Sequence, residues 1–264
     1  MKRIASRDNP LFKSLRKLAH TSQARRHAGL SVLDGVHLCQ AYLQWQGLPR
    51  YAVFDSRRLE GERPSAEVRR LCQDIPADRH VWLDGNLIED LEQVQAGQGV
   101  VFVVETPVPP LPERIAESCV LLDRIQDPGN VGSILRTCAA AGVRSVFLSD
   151  ETAFAWSPKV LRSGQGAHFS LAIYERVDLG ALLGRLDVPL VATTLDDATG
   201  LYGTALSRHC AWIFGNEGQG VRADLQAAAD LRVRIPQEPA AESLNVAAAV
   251  AVCLFEHRRR YMAA

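Results

Sequence analysis

The chain lacks several things that would announce a class. Its six cysteines (Cys39, Cys72, Cys119, Cys138, Cys210 and Cys253) stand singly among 264 residues. There is no CxxC pair and no histidine at zinc-ligand spacing, which argues against a structural metal and for free thiols in a reducing compartment. No apolar run approaches the roughly 18 residues of a membrane span. The first residues have no hydrophobic signal-peptide core, so a cytoplasmic location is expected and no membrane partner. Charge of one sign is also missing: 30 basic and 30 acidic residues cancel, and any nucleic-acid role needs a local basic surface. Neither a phosphate-binding GxxxxGK nor a GxGxxG fingerprint is present, which disfavours a nucleotide-dependent enzyme of the doubly wound class.

What remains is ordinary globular material, 47% hydrophobic and 23% charged, long enough for one large domain or two smaller ones. Lys2, Arg3, Arg7, Lys13, Arg16, Lys17, Arg25 and Arg26 are opposed near the N-terminus by Asp8 alone. Leu11, Leu15 and Leu18 fall at helical spacing with Lys13, Arg16 and Lys17 on the other side. That pattern predicts a basic amphipathic helix, with Asp8, Asn9 and Pro10 as its cap and first turn. Its outer face is either a solvated surface or a phosphate-contacting arm.

Short apolar runs at 30–33, 51–54, 81–83 and 100–104 read as strands. Between them, 36–45, 66–72 and 87–94 read as helices, the last with Asn86 as cap. Alternation of this kind predicts a compact α/β unit. Four prolines between Thr106 and Pro112 then break the pattern, since proline continues neither a helix nor a central strand. The expected division is an N-terminal domain at 1–105, a linker at 106–114 and a second domain at 115–264. In the second, strands are expected at 119–122, 145–148, 169–173, 190–193, 211–214 and 231–235. Helices are expected at 131–141, 158–161, 179–186 and 223–229. A mostly parallel sheet covered by helices on both faces places ligands beyond the carboxyl ends of its strands.

Three loops answer to that rule. Asp127, Pro128 and Gly129 supply turn chemistry, with Asn130 able to cap the helix carrying Arg136. Gly215, Gly218 and Gly220 surround Glu217 in a loop whose backbone can approach a small molecule closely. The third loop runs from Ile235 through prolines to Ser243, Leu244 and Asn245, followed by ten apolar residues from Val246 to Phe255. Ser243 stands at the expected N-cap, and the stretch reads equally as a capped core helix or as a site at a buried helix end.

Taken in order, three sets of residues resemble the motifs of the SpoU (TrmH-like) class of SPOUT RNA methyltransferases. They are Asp127, Pro128, Asn130, Gly132, Arg136 and Thr137; then Phe214, Gly215, Asn216, Glu217, Gly218 and Gly220; then Ile235, Pro236, Ser243, Leu244, Asn245 and Val246. Together they span most of the chain from Leu121 to Arg260. The resemblance implies an α/β fold with a deep trefoil knot, an S-adenosyl-L-methionine site in the knot, a homodimer, and methylation of a ribose 2′-hydroxyl in structured RNA. Residues 4–13 and the unit up to Val104 are similar to an L30e-like RNA-binding module, which tilts the implied substrate to ribosomal over transfer RNA. By this resemblance Arg136 is the essential arginine, supported by Asn130, Glu217, Ser243 and Asn245. Gly215, Ile235 and Leu244 match cofactor positions, with Thr193 lining the same pocket, and no metal is needed. The chain departs from the family at Asp34, where glutamate is common, at 162–167, and at 236–242, where the usual Met and Gly are missing. A non-catalytic RNA-binding protein of the same fold is the competing reading, and the intact polar set argues against it.

Overall fold

The computed structural model describes residues 1–264 except 62–64, 93–96, 196, 239, 241–242 and 263–264. The chain divides into two compact units, one of residues 1–107 with 156–169 and the other of 108–155 with 170–264.

In the first unit, β1 (Lys2–Ile4) is followed by α1 (Pro10–His20), α2 (Ser22–Ala28), β2 (Leu30–Asp34), α3 (Val36–Trp45) and β3 (Tyr51–Asp55). Then come α4 (Ser56–Glu60), α5 (Ala66–Asp74), β4 (His80–Leu83) and β5 (Val100–Glu105). The strand order is β1-β4-β3-β5-β2, with β5 antiparallel to both β3 and β2 and the other pairs parallel. Asn9 caps α1 by accepting from the N–H groups of Leu11 and Phe12, and Pro10 needs no partner there. Phe12, Leu15 and Leu18 go into the core with Val53, Val81 and Val101, leaving Lys13, Arg16 and Lys17 exposed. The helix expected at 87–94 is only a 3-10 turn at Ile88–Asp90, and residues 93 and 94 lie outside the described residues. The short elements β1, α2 and α4 have too few residues to establish a periodicity in the sequence.

The second unit contains β6 (Cys119–Asp123), α6 (Pro128–Ala141) and β7 (Ser145–Leu148). Next along the chain is α7 (Pro158–Gly164), which packs with the first unit, where Phe169 sits edge-on to Tyr42 at 5.4 Å. The second unit resumes with β8 (Ala172–Tyr174), α8 (Leu179–Leu183), β9 (Leu190–Thr193), β10 (Thr199–Gly200) and β11 (Ala211–Gly215). It closes with α9 (Ala223–Ala227), β12 (Leu231–Arg234) and α10 (Val246–Tyr261). All seven strands are parallel, in the order β10-β12-β9-β11-β6-β7-β8. The strand expected at 169–173 begins later, because 167–170 form a 3-10 turn.

Alternation along the strands divides the core. Cys119, Leu121, Ala211 and Ile213 face Leu179, Leu182 and Leu225 of α8 and α9. Trp212 points the other way, and its indole Nε1–H donates to Nδ1 of His257 on α10 at 3.2 Å. His257 therefore carries its proton on Nε2, which donates to the Ser207 carbonyl at 2.8 Å. Arg260 of α10 donates to the Leu201 carbonyl at 2.7 Å and also to that of Thr204, while the Tyr261 hydroxyl donates to Leu206. Helix α10 thus touches both β11 and the segment 201–207.

Candidate functional site

The carboxyl ends of β6, β11, β9 and β12 bring three loops to one edge of the sheet. Gly215 is paired with Asp123, and Thr193 with Val233, so the strands end together. After Gly215 the chain doubles back in a tight hairpin, with Asn216 bridged to Gly220. A Cβ on Gly215 would lie 2.0 Å from the Val221 nitrogen and 2.1 Å from the Gly220 carbonyl carbon. Only glycine permits that fold-back. The Asn216 side chain shapes the loop by accepting from the N–H groups of Gly218 and Gln219 and donating to the Arg124 carbonyl at 2.9 Å.

A directional chain of side chains links the three loops. Nδ2 of Asn245 donates to Oδ1 of Asn130 at 3.0 Å, and Nδ2 of Asn130 donates to Oε1 of Glu217 at 3.0 Å. A carboxylate only accepts, so the Asn130 amide can point only one way. Oδ1 of Asn245 is engaged with the N–H groups of Ala247 and Ala248, at 2.9 and 3.3 Å. These bonds make Asn245, not Ser243, the N-cap of α10. Asp127 similarly displaces Asn130 as the cap of α6, accepting from the Asn130 N–H at 2.9 Å. The Asp-Pro pair carried that signal, since proline favours the first helical position and the residue before it caps.

The remaining expected residues stand apart from the chain. Ser243 and Leu244 are exposed on the entry to α10. Arg136 is exposed on α6, six residues beyond Asn130, which is about 9 Å along the helix and roughly 120° around it. Thr193 donates its hydroxyl to the Ile213 carbonyl at 3.2 Å, tying β9 to β11, and Ile235 follows the end of β12. Residues 239, 241 and 242 of the departing segment lie outside the described residues.

Some residues at this edge were not singled out from the sequence. Asp123 is fully buried and accepts from the Arg222 N–H at 2.9 Å, while the guanidinium Nε atoms of Arg124 and Arg222 lie 3.5 and 3.3 Å from its other oxygen. Arg124 has a left-handed backbone with φ 59°, its N–H donates to Ser149 Oγ, and its Nη1 reaches Gln219 at 2.9 Å. One buried carboxylate so anchors the loops on both sides of the glycine hairpin. An acidic residue ending an otherwise apolar strand was the available signal. Among the described residues no group of three or more His, Cys, Asp or Glu could hold a metal.

The edge suits a ligand with an apolar body and polar edges. Leu195 and Leu244, 53% and 40% exposed, present apolar surface beside loops rich in backbone donors and acceptors. The sequence model of the SpoU rRNA Methylase family matches residues 117–255. An uncharacterised tRNA/rRNA methyltransferase of Synechocystis is 35% identical, over 99% of this chain and 95% of that protein. The 23S rRNA (guanosine(2553)-2'-O)-methyltransferase RlmP of Bacillus subtilis is 32% identical, over 98% of this chain and all of that protein. An AdoMet-bound rRNA methyltransferase structure from Sinorhizobium meliloti superposes with a TM-score of 0.85 at 26% identity, covering 99% of each chain.

Proposed function

The chain belongs to the SpoU rRNA methylase family, and we propose that it methylates a ribose 2′-hydroxyl of ribosomal RNA with S-adenosyl-L-methionine as donor. The observation that carries this reading is the Asn245–Asn130–Glu217 chain at the carboxyl edge of a parallel sheet. When bound, the cofactor supplies an electrophilic sulfonium methyl group. Transfer of that methyl group to the RNA 2′-oxygen would break its bond to sulfur, and the hydroxyl proton would pass to solvent. A ribose hydroxyl is a very weak acid, so alignment and stabilisation of negative charge on oxygen govern the rate.

Arg136 is the charge stabiliser and phosphate clamp, because a guanidinium stays protonated and is a poor base. Asn130, Glu217, Ser243 and Asn245 hold the ribose and the loops in register. Gly215, Ile235, Leu244 and Thr193 form the cofactor cradle, mainly through backbone groups. The apolar surface of Leu195 and Leu244 fits the adenosine portion.

A homodimer belongs to the same proposal. Phe255 is 47% exposed on α10 and Leu244 lies at its entry, and a second copy would cover both. A deep trefoil knot belongs to the proposal, and the bonds of α10 to both β11 and the segment 201–207 support it. Residues 1–105 serve as the L30e-like RNA-binding domain, 106–114 as linker and 115–264 as catalytic domain, with Arg16 and Lys17 exposed to meet phosphates and Lys13 paired with Asp8 at 2.9 Å. The six free thiols favour the cytoplasm.

Calorimetric titration with S-adenosyl-L-methionine, followed by methyl transfer to unmodified 23S rRNA, tests the reading. Well-folded protein that fails to bind the cofactor would sink it, and transfer only to tRNA would move the substrate. Arg136→Ala should retain the melting temperature and cofactor affinity while losing methyl transfer; wild-type turnover would remove Arg136 from the mechanism.

A further inference from the structure

At the opposite end of the second unit's sheet, a hollow of about 620 Å³ opens beside the starts of β6 and β7. Four separate segments line it, and three of them bring positive charge. Arg144 comes from the turn between α6 and β7, Arg208 and His209 from the turn before β11, and Arg258 from α10. Glu117 is the acidic residue of the lining, and it is paired at 3.2 Å with His209.

In a chain of zero net charge, this is a local excess of positive charge in a concave place. Arg258 donates Nη1 to the Ala141 carbonyl at 3.0 Å, so its guanidinium is held by the end of α6 with other N–H groups to spare. Arg144 and Arg208 are exposed and make no ion pair or side-chain hydrogen bond among the described residues. The lining also has an apolar part, formed by Val143, Leu254, Tyr261 and Met262, of which Tyr261 and Met262 are exposed.

We propose that this hollow is a second RNA-binding site, which holds a phosphate on Arg144, Arg208 and Arg258 and an unstacked nucleoside against the apolar wall. The proposal rests on the RNA methylation reading above. Guanidinium forks match phosphate geometry, and RNA is read chiefly where bases are unpaired and can lie on aromatic or apolar side chains. The volume lies within the ordinary range of roughly 300–1,000 Å³ for small-ligand sites. The length of β6, five residues or about 16 Å, separates the hollow from the methyl-transfer edge. A structured RNA is large enough to touch both ends, so the hollow would hold a nucleotide remote from the one modified.

The test compares wild type with Arg144→Gln/Arg208→Gln and Arg144→Glu/Arg208→Glu, using transcribed 23S rRNA across a salt series. Cofactor calorimetry and native mass accompany each variant. Loss of two phosphate contacts should weaken RNA binding at least tenfold in the Glu pair, less in the Gln pair. It should also flatten the slope of log K against log salt by about 1.4 to 1.8. KM for RNA should rise more than kcat falls, with cofactor affinity kept. Wild-type RNA affinity and slope in both variants would overturn the second site and leave the methyltransferase reading standing. A changed oligomeric mass would make the hollow an interface between copies and equally overturn it. If wild type binds the cofactor but no rRNA, both the substrate assignment and this site fail. Inorganic phosphate is titrated separately; capture that the variants lose, with RNA affinity intact, would assign the hollow to a small anion instead.

Discussion

Replacing Gly215 by alanine tests the hairpin that closes the candidate cofactor cradle. The added methyl would meet the backbone of Gly220 and Val221 at 2.0 to 2.4 Å, and backbone cannot swing aside as a side-chain tip can. Overpacking costs about 1–3 kcal/mol, and a backbone clash of this depth belongs at the upper end, near 3 kcal/mol. At 2–4 °C per kcal/mol for a unit of this size, the midpoint should fall by about 6 to 12 °C. The hairpin's neighbours serve as controls. Gly218→Ala meets only the Asn216 Oδ1 atom at an ordinary 3.6 Å and should stay within about 0.5 kcal/mol of wild type. Gly220→Ala has open space but φ 68°, so it should cost roughly 1–2 kcal/mol through backbone conformation alone. Scanning calorimetry ranks the three, and titration with S-adenosyl-L-methionine should show Gly215→Ala binding at least tenfold more weakly. Equal midpoints for Gly215→Ala and Gly218→Ala would refute the argument from close approach.

Other expectations follow from single groups. Asn245→Ala removes two cap bonds and should lower stability by about 1 kcal/mol, whereas Asn245→Asp keeps the cap but cannot donate to Asn130, so it should lose turnover with little loss of stability. Comparing melting points with methyl-transfer rates separates the two effects, and an active Asp variant would break the proposed chain. Burial holds the His257 pKa below its ordinary 6.5, and the Trp212 N–H occupies the nitrogen that would have to be protonated. In that window the unfolded chain binds more protons, so the stability His257 contributes is complete above about pH 6.5 and declines as pH falls below it. His257→Gln should show a shallower decline than wild type between pH 7 and 5, with His80, also lowered by burial, leaving a remainder; identical slopes would refute this. Burial also pushes Cys119 and Cys253 up to about 12 and Cys210 to about 11, so a thiol reagent at pH 8 should leave all three unmodified until the protein is denatured.

The parts of this molecule legible in the sequence are those written in one stretch of chain. Apolar runs announced β6, β9 and β11, and the turn residues after β6 and β11 marked the edge where Asn130 and Glu217 meet. Helix starts were misplaced by a few residues because Ser, Asn and Asp compete for the same role. Ser243 and Asn245 are both competent caps, and the contact of Asn245 with Asn130, 115 positions away, helps to fix which is used. Asp123 and Arg222 are 99 positions apart, and their pairing needs the register of β6 beside β11, which no local pattern contains. Residues 156–169 join the first unit through Phe169, whose ring meets Tyr42 and whose carbonyl accepts from Gln46; a large apolar side chain carries no label of its partner.

The arginine tail illustrates how much a fold can change the meaning of charge. Arg258, Arg259 and Arg260 are three consecutive cations in the last turn of α10, where the helix dipole favours them. In the fold, Arg259 and Arg260 flank Glu256 and hold its carboxyl down at about 2. Arg260 also reaches the carbonyls of Leu201 and Thr204, and Arg258 that of Ala141. Two of the three arginines therefore fasten the end of α10 to other segments of its unit. Its beginning is fastened by Asn245 to Asn130, and in the last turns His257 adds bonds to Trp212 and Ser207 beside those of Arg258 and Arg260. A helix held at both ends cannot slide along its axis without breaking polar contacts, of which the buried Trp212–His257 bond is the costliest to lose. That restraint keeps Asn245, and through it Asn130 and Glu217, at a fixed height above the sheet edge. Of the apolar run, Val246, Val250, Cys253 and Leu254 are buried, and that face holds the helix that positions the site.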